Sequence, residues 1–458
     1  MSPLLALSAA LLAVGALGIV FLRLPSAVLV TLGIVTAVFS GHSADMGLPL
    51  PIDRVLIYVG LLVLLLGNER SQLPFRLRFR SQHAMMIALS VYALISSLVA
   101  GTFLGHIEGH YALLDRLSIT AFVLFSVAPL VFHDARTRNI LLVAMVATGA
   151  YLGVTALLEG VGLKSLTFPR YINDPNVGIH FDRARGPITE SAGFGLALFE
   201  CAMVAVVASR VWRTQSARVS AMVVALLCLL GTIFTLTRAV WIGVVLGMLA
   251  ACVVSREWRR RVLPVAAVVV VVLVAALSFS PTLSQQVEDR GGAERSVWDR
   301  LNLADAGLNA LEDHPLFGIG YRAFPEQGTQ YFRLLPDIPQ TGTGLDIHNA
   351  VLAYAAELGL VGVTMWLLVV AVTVGAAMVR RAPPVLEDWR VAMVAMGVQW
   401  GVVAMFTPLS YTFSFLILWT WAGIVIGHHF VRPRRPADAG PVALSPAPEE
   451  EADGRVHA

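Results

Sequence analysis

The sequence predicts an all-α, polytopic membrane protein of about 12–13 transmembrane helices, with one large extracytoplasmic loop that contains an amphipathic helix. Three observations predict it. Apolar residues make up 57% of the chain and charged residues 14%, and the mean hydropathy is +0.74. Soluble domains carry about a quarter charged residues. The apolar excess falls in blocks of roughly 18–22 residues, the length at which a helix crosses a hydrocarbon core. The blocks lack the period-two alternation of a membrane strand, so helices satisfy the backbone in lipid.

Taken in order, the expected spans lie near 4–21, 25–40, 54–67, 84–104, 116–133, 139–160, 189–209, 219–236, 238–254, 262–280, 348–379, 391–406 and 409–428. No basic stretch precedes 4–21, so that block reads as a retained span. Residues 1–430 form a single transmembrane domain with a large loop at 281–347. Residues 431–458 are rich in Pro, Ala and Glu and read as a disordered cytoplasmic tail. Arginines cluster at 70–80, 136–138, 210–218, 256–261, 380–390 and 432–435, in every second loop. That side is expected to be cytoplasmic. The long segments near 162–189 and 280–347 then face outward, and their arginines need another reason. A polyanionic ligand is one.

The formal net charge of +3 gives no reason to expect nucleic acid. Cys201, Cys228 and Cys252 sit inside apolar blocks and read as small core residues. There is no phosphate-binding glycine loop, dinucleotide motif or Asp-x-Asp pair, so neither nucleotide hydrolysis nor a metal-bound diphosphate is suggested. His106 and His110 flank Glu108 at a helical spacing that can bind metal, without a further ligand nearby in the sequence.

Four constellations can carry chemistry. His348-Asn349 opens a span, and at helical spacing His348, Leu352, Ala355, Gly359 and Gly362 share one face. The small residues would admit a neighbouring helix. The histidine is either a rigidly mounted base or an interfacial residue without a role. Within the loop, Ser296 and Asp299 suggest a capping box, and Val297, Leu301, Ala304, Leu308 and Leu311 form an apolar stripe. Such a helix lies on the membrane surface or covers the spans. Arg300, beside the stripe, points inward or is a solvated charge. The following His314 to Tyr321 run contains Pro315, which ends a helix, and Gly318 and Gly320, which permit a tight turn. Arg238 stands at the junction of two spans, where it binds a ligand or snorkels. Arg183 and Arg185 precede a re-entering helix and grip phosphate or form a solvated cluster.

From about Arg183 to Phe430 the chain resembles the O-antigen ligase family, within the superfamily that includes O-antigen polymerases. His348-Asn349, nine residues and then Gly359-Leu360-Val361-Gly362 match the pattern H-[NSQ]-x9-G-x-x-[GTY]. Thr237-Arg238 to Gly243 resembles the start of the shared region, and His314 to Tyr321 its turn, with Arg300 upstream. The resemblance implies a metal-independent glycosyltransferase, needing no cofactor, that acts outside the cytoplasmic membrane. Its donor would be a glycan on a polyprenyl diphosphate such as undecaprenyl diphosphate. Its acceptor would be lipid A-core or an equivalent lipid or glycan. His348 would be the base. Arg238, Arg300, Arg185 and Arg183, in that order, would hold the diphosphate. Gly318 and Gly320 would shape a loop closing over the site, with Asn349, Gly359 and Gly362 structural beside it. Inversion at the anomeric carbon follows from direct displacement.

A polymerase acting on lipid-linked repeat units is the main rival. A transporter or flippase of lipid-linked sugars would favour charged, broken spans and matching halves, which the sequence lacks. A metal-dependent membrane glycosyltransferase would need paired acids.

Overall fold

The computed structural model describes residues 24–48, 50–66, 75–105, 112–260, 263–264, 267–268, 294–333 and 346–433. The expected span 4–21, most of 262–280, the His106–Glu108–His110 group, loop segments 281–293 and 334–345, and the tail from 434 lie outside the described residues.

The described chain is almost wholly helical. Its principal helices are α1 (Ser26–Thr36), α2 (Ile52–Leu66), α3 (Ser81–Val99), α4 (Ile119–Val131), α5 (Ala135–Gly160) and α6 (Ser191–Val211). They continue with α7 (Gln215–Phe234), α8 (Arg238–Val254), α9 (Glu294–Asp313), α10 (Ala350–Val370), α11 (Glu387–Ala404) and α12 (Thr412–Ile426). Every span expected between 25 and 254, and between 348 and 428, is met by one of them. Among the described residues five helices are long and apolar enough to cross a membrane by length and composition. The protein is thus an all-α polytopic membrane protein.

Helix α6 is the axis. Its sequence is apolar on all sides, and nearly all of it is buried among α5, α7, α8, α11 and α12. Helix α8 leans on α11 through small residues: a Cβ at Gly247 would stand 2.6 Å from the Ala395 carbonyl oxygen. At one end of the bundle, β1 (Phe75–Leu77) pairs antiparallel with β2 (Val431–Pro433). Residues 431–433, expected in a disordered tail, are therefore ordered by pairing with 75–77. Both strands come from the arginine-rich side. Helix α12 starts at the opposite end, where the loops converge.

Helix α10 departs from the expected single span. Gly359 has φ +68° and ψ −175°, which breaks the helix one residue after Leu358. The His314–Tyr321 turn fills the break. Ile319 and Gly320 N–H groups donate to the carbonyls of Ala356 and Glu357 at 3.0 and 2.9 Å. Leu360 N–H donates to Pro315 O at 2.8 Å, and Tyr92 donates its hydroxyl hydrogen to Leu358 O at 2.7 Å. The carbonyls freed by the kink are thus satisfied by the turn and by α3. Gly318 at φ +69° lies against this backbone, where a Cβ would be 2.4 Å from the Glu357 carbonyl carbon. The expected tight turn is present, but Gly318 and Gly320 lace it into α10 instead of closing it over a cavity. Gly359 meets the turn, not a helix; Gly362 does face a helix, α3, at Tyr92.

The amphipathic helix α9 is present, but packs through a face other than the expected stripe. Leu303, Ala306 and Ala310 are buried with Ile347, Ala353 and Ala356. Small residues win because they permit close approach: a Cβ at Gly307 would be 2.7 Å from Ile347 Cδ1. Val297, Leu301 and Leu308 remain about half exposed. The helix begins at Glu294, so Ser296 lies inside its first turn and is not its cap.

Candidate active site

The converging loops enclose a cavity of about 680 Å³. Its walls come from the end of α1, the 179–192 loop, the α7–α8 junction, α9, the residues before α10 and the α11–α12 connection. A second cavity of about 280 Å³ adjoins it, and the two share Arg183, Thr237, Arg300, Phe406 and Thr407. Both line one cleft.

His348 reaches the larger cavity from just outside α10. Asn349, not His348, caps the helix: its side-chain oxygen accepts the Leu352 N–H at 3.0 Å. His348 therefore does not belong to the helical face expected from its spacing. The cap turns the chain so that the imidazole faces the cavity. Asp346, two residues earlier, is fixed by Arg322 at 2.8 Å and Arg116 at 3.4 Å. Arg116 is buried and also meets Glu357 at 3.6 Å, while Tyr354 donates to its backbone oxygen at 2.6 Å. The His348 segment is thus held between a helix cap and a buried charge cluster. Burial, then the charge of Arg300, pushes the imidazole below the usual histidine range. The Asp346 backbone offsets part of this, although the buried Nδ1 makes no bond of good geometry. Burial and Arg300 both favour the uncharged ring. Burial alone would raise Asp346, but Arg116 and Arg322 outweigh it and keep the carboxyl below its ordinary range.

Three of the four expected arginines come together. Arg238 is the first residue of α8, delivered by a turn in which Leu236 takes φ +45° and Trp241 Nε1 donates back to Thr232 O at 3.0 Å. Arg300 projects from the first turns of α9. Arg183 sits between them, donating to Ser191 Oγ and Thr237 Oγ1 at 3.4 Å each. All three line the smaller cavity, and Arg183 and Arg300 line both. Partial burial and the charge of Arg238 push Arg300 down from the ordinary arginine range. Crowded like charges of this kind favour a polyanion beside them.

Arg185 is not brought there. It is fully buried beneath the 172–180 loop. Its guanidinium donates to the carbonyls of Ile172 at 2.9 Å, Asp174 at 2.6 Å and Val177 at 2.6 Å, and stacks 4.8 Å from the Phe181 ring. Glu159 accepts the Gly186 N–H at 2.8 Å beside it. Residues two apart would share one face of an extended strand; here Arg185 takes φ −131°, ψ −12° and leads into the Gly186–Ile188 turn, and this irregular backbone lets one arginine face the cavity while the other clamps the loop.

Other cavity residues carried no signal in the sequence strong enough to assign a role. Glu190 caps α6, accepting the Gly193 N–H at 2.6 Å, and stands 3.5 Å from His180 Nδ1. Burial raises Glu190, but His180 and the Gly193 amide outweigh it and hold the carboxyl below its usual range. Tyr411 precedes α12, and Asp346 precedes His348; none of these falls in a recognisable spacing. Among the described residues no three His, Cys, Asp or Glu side chains gather as a metal site would require.

The loops of this polytopic helical bundle thus gather His348, Arg183, Arg238 and Arg300 along one cleft. Residues 222–367, about a third of the chain, match the family described as O-antigen ligase, which supports assignment to that family. The match supports a membrane glycosyltransferase of the O-antigen ligase or polymerase type. The matched stretch contains Arg238, Arg300, the 314–321 turn and His348, and leaves out Arg183 and Glu190. No curated protein matches the chain.

Proposed function

We propose that the protein moves a glycan from a polyprenyl diphosphate to an acceptor hydroxyl at the outer face of the inner membrane, with lipid A-core as the acceptor. The observation that carries this is the meeting of His348 with Arg183, Arg238 and Arg300 in one cleft. An imidazole nitrogen of His348 takes the acceptor's proton as its oxygen bonds the anomeric carbon. The bond from that carbon to the diphosphate breaks, and its electron pair leaves on the diphosphate oxygen. Attack and departure on opposite faces invert the anomeric centre. Arg238 and Arg300 stabilise the charge that grows on the leaving group, with Arg183 bridging to the acceptor side. Arg185 has no part in this; it holds the loop that presents Arg183. The reaction so written needs no metal and no other cofactor.

A polymerase would use the same groups and differ only in its acceptor. The test is transfer by purified protein in nanodiscs, in chelator, with a polyprenyl-diphosphate glycan and either lipid A-core or a second lipid-linked unit. Product on lipid A-core supports ligation. Lengthening of the donor glycan alone replaces it with polymerisation. Transfer to neither removes the proposal.

A further inference from the structure

The cleft has two chemically different ends. Arg238 lines only the smaller cavity, whereas His180, Glu190, Tyr411 and His348 line only the larger one. Arg183 and Arg300 stand where the two meet. One end is thus cationic and the other carries a carboxylate. His348 is in reach of both, since the charges of Arg300 and Glu190 act on its imidazole. A diphosphate at the cationic end leaves the carboxylate end for the acceptor.

Glu190 is held charged and within reach of the cavity. Its Oε2 accepts the Gly193 N–H at 2.6 Å, at the start of α6, where the helix dipole favours an anion. Its Oε1 has His180 Nδ1 at 3.5 Å, beyond good hydrogen-bond length, and no arginine within ion-pair distance among the described residues. The side chain is 18% exposed, so a ligand in the cavity can touch it. His180 is fixed in turn: its Nδ1 meets Ser191 Oγ at 3.1 Å. Its backbone takes φ +61°, a strained conformation for a residue with a side chain, which persists only where the surroundings enforce it. Asp346, also in the cavity wall, is by contrast already taken by Arg322 and Arg116. An ionised carboxylate accepts hydrogen bonds and donates none. It suits a hydroxyl and repels a phosphate or a second carboxylate.

We propose that Glu190 selects the acceptor: its Oε1 accepts a hydrogen bond from the hydroxyl beside the attacking one, so the acceptor is an uncharged sugar with a free vicinal diol at the attacked position. The proposal rests on the glycan transfer of the preceding section and adds the acceptor's chemical class to it. His180 and Ser191 position the carboxylate. Ser191 Oγ also meets Arg183 at 3.4 Å, so the acceptor and diphosphate ends share one hydroxyl.

The test uses the full chain in neutral phospholipid nanodiscs and lipid A-core oligosaccharide freed of its acyl chains. Its terminal sugar is intact, or deoxygenated or phosphorylated at each hydroxyl in turn, and both binding and transfer are measured. Where only the donor glycan is lengthened, the same series is made on the lipid-linked unit. Wild type should bind one deoxy form roughly tenfold or more weaker than the intact sugar, and should bind the form phosphorylated at that hydroxyl weaker still. That hydroxyl should neighbour the one glycosylated. Glu190→Gln, whose side-chain oxygen can still accept the Gly193 N–H, should lose about as much on the intact sugar. It should distinguish intact from deoxy by less than about twofold, recover the phosphorylated form severalfold, and keep donor affinity within about twofold. Equal binding of every deoxy form by wild type would overturn the proposal. So would a Glu190→Gln that discriminates as wild type does, or one that loses all forms alike, the mark of a helix cap only. A Glu190-dependent preference for the diol in a protein that transfers no glycan would refute transfer and leave the subsite standing; transfer indifferent to the neighbouring hydroxyl would do the reverse.

Discussion

Replacing Arg185 by lysine separates a clamp from a ligand. The change keeps a positive charge but removes the planar fork. In the structure the guanidinium holds three carbonyls at 2.6 to 2.9 Å, those of Ile172, Asp174 and Val177. Hydrogen bonds with a charged partner contribute about 1.5–3 kcal/mol each. A lysine ammonium reaches one of these oxygens and water recovers part of the rest, which leaves a loss of about 3 kcal/mol local to the 162–190 loop. At 1.4 kcal/mol per tenfold, opening of that loop becomes roughly 100-fold more frequent. Hydrogen exchange in nanodiscs reads this directly. The Ile179 N–H, bonded to Thr189 O at 2.9 Å, and the Gly186 N–H should exchange faster by about that factor, with α11 and α12 unchanged. Arg238→Lys should leave exchange alone and weaken donor binding. If Arg185→Lys exchanges like wild type yet loses donor affinity as Arg238→Lys does, Arg185 is a ligand and the clamp is wrong.

The remaining predictions concern the break in α10 and the ionisation of His348. Gly359→Ala would put a Cβ 2.2 Å from Leu316 O at φ +68°; a cost of about 3 kcal/mol or more should lower Tm by at least several degrees, and an unchanged Tm contradicts it. As the proposed base, His348 has to be unprotonated, and its pKa lies below the usual histidine range, so the rate should hold at pH 7 and fall as pH drops through that lowered value. Arg300 lowers and Glu190 raises this pKa. In pH profiles normalised to their own maxima, Arg300→Gln should therefore move the acid limb to higher pH and Glu190→Gln to lower pH; shifts of the same sign would refute the electrostatic account. Asp346→Ala frees the His348 segment from Arg116 and Arg322 and should reduce kcat by roughly 100-fold with donor binding retained, measured by single turnover and donor titration.

The helices were legible because lipid demands long apolar blocks, and every expected span between 25–40 and 238–254, and between 348–379 and 409–428, met a helix. Residue type and spacing drew attention to His348, Arg238 and Arg300 but left an interfacial or solvated reading open for each; only the resemblance to the O-antigen ligase family singled them out. What escaped depends on backbone geometry or on partners distant in sequence. Gly359 looks like a small helix-packing residue until its positive φ reveals a break filled by the 314–321 turn. Arg183 and Arg185 are equivalent by composition, and only the irregular backbone that runs from Arg183 into the Gly186–Ile188 turn sends one to the cavity and the other under the loop. The buried face of α9 is made of Ala306, Gly307 and Ala310, which a hydrophobicity pattern underrates beside Leu301 and Leu308. Asp346 gains its importance from Arg116, which lies more than two hundred residues away.

The central claim is that His348 removes the acceptor proton beside an arginine-held diphosphate. Its most direct test is single-turnover glycan transfer by wild type, His348→Ala and His348→Gln at saturating donor, with donor affinity measured in parallel. The account predicts that both variants bind donor within about twofold of wild type and lose transfer by at least roughly 100-fold, the upper part of what a general base contributes. Near-full transfer by either variant would contradict it.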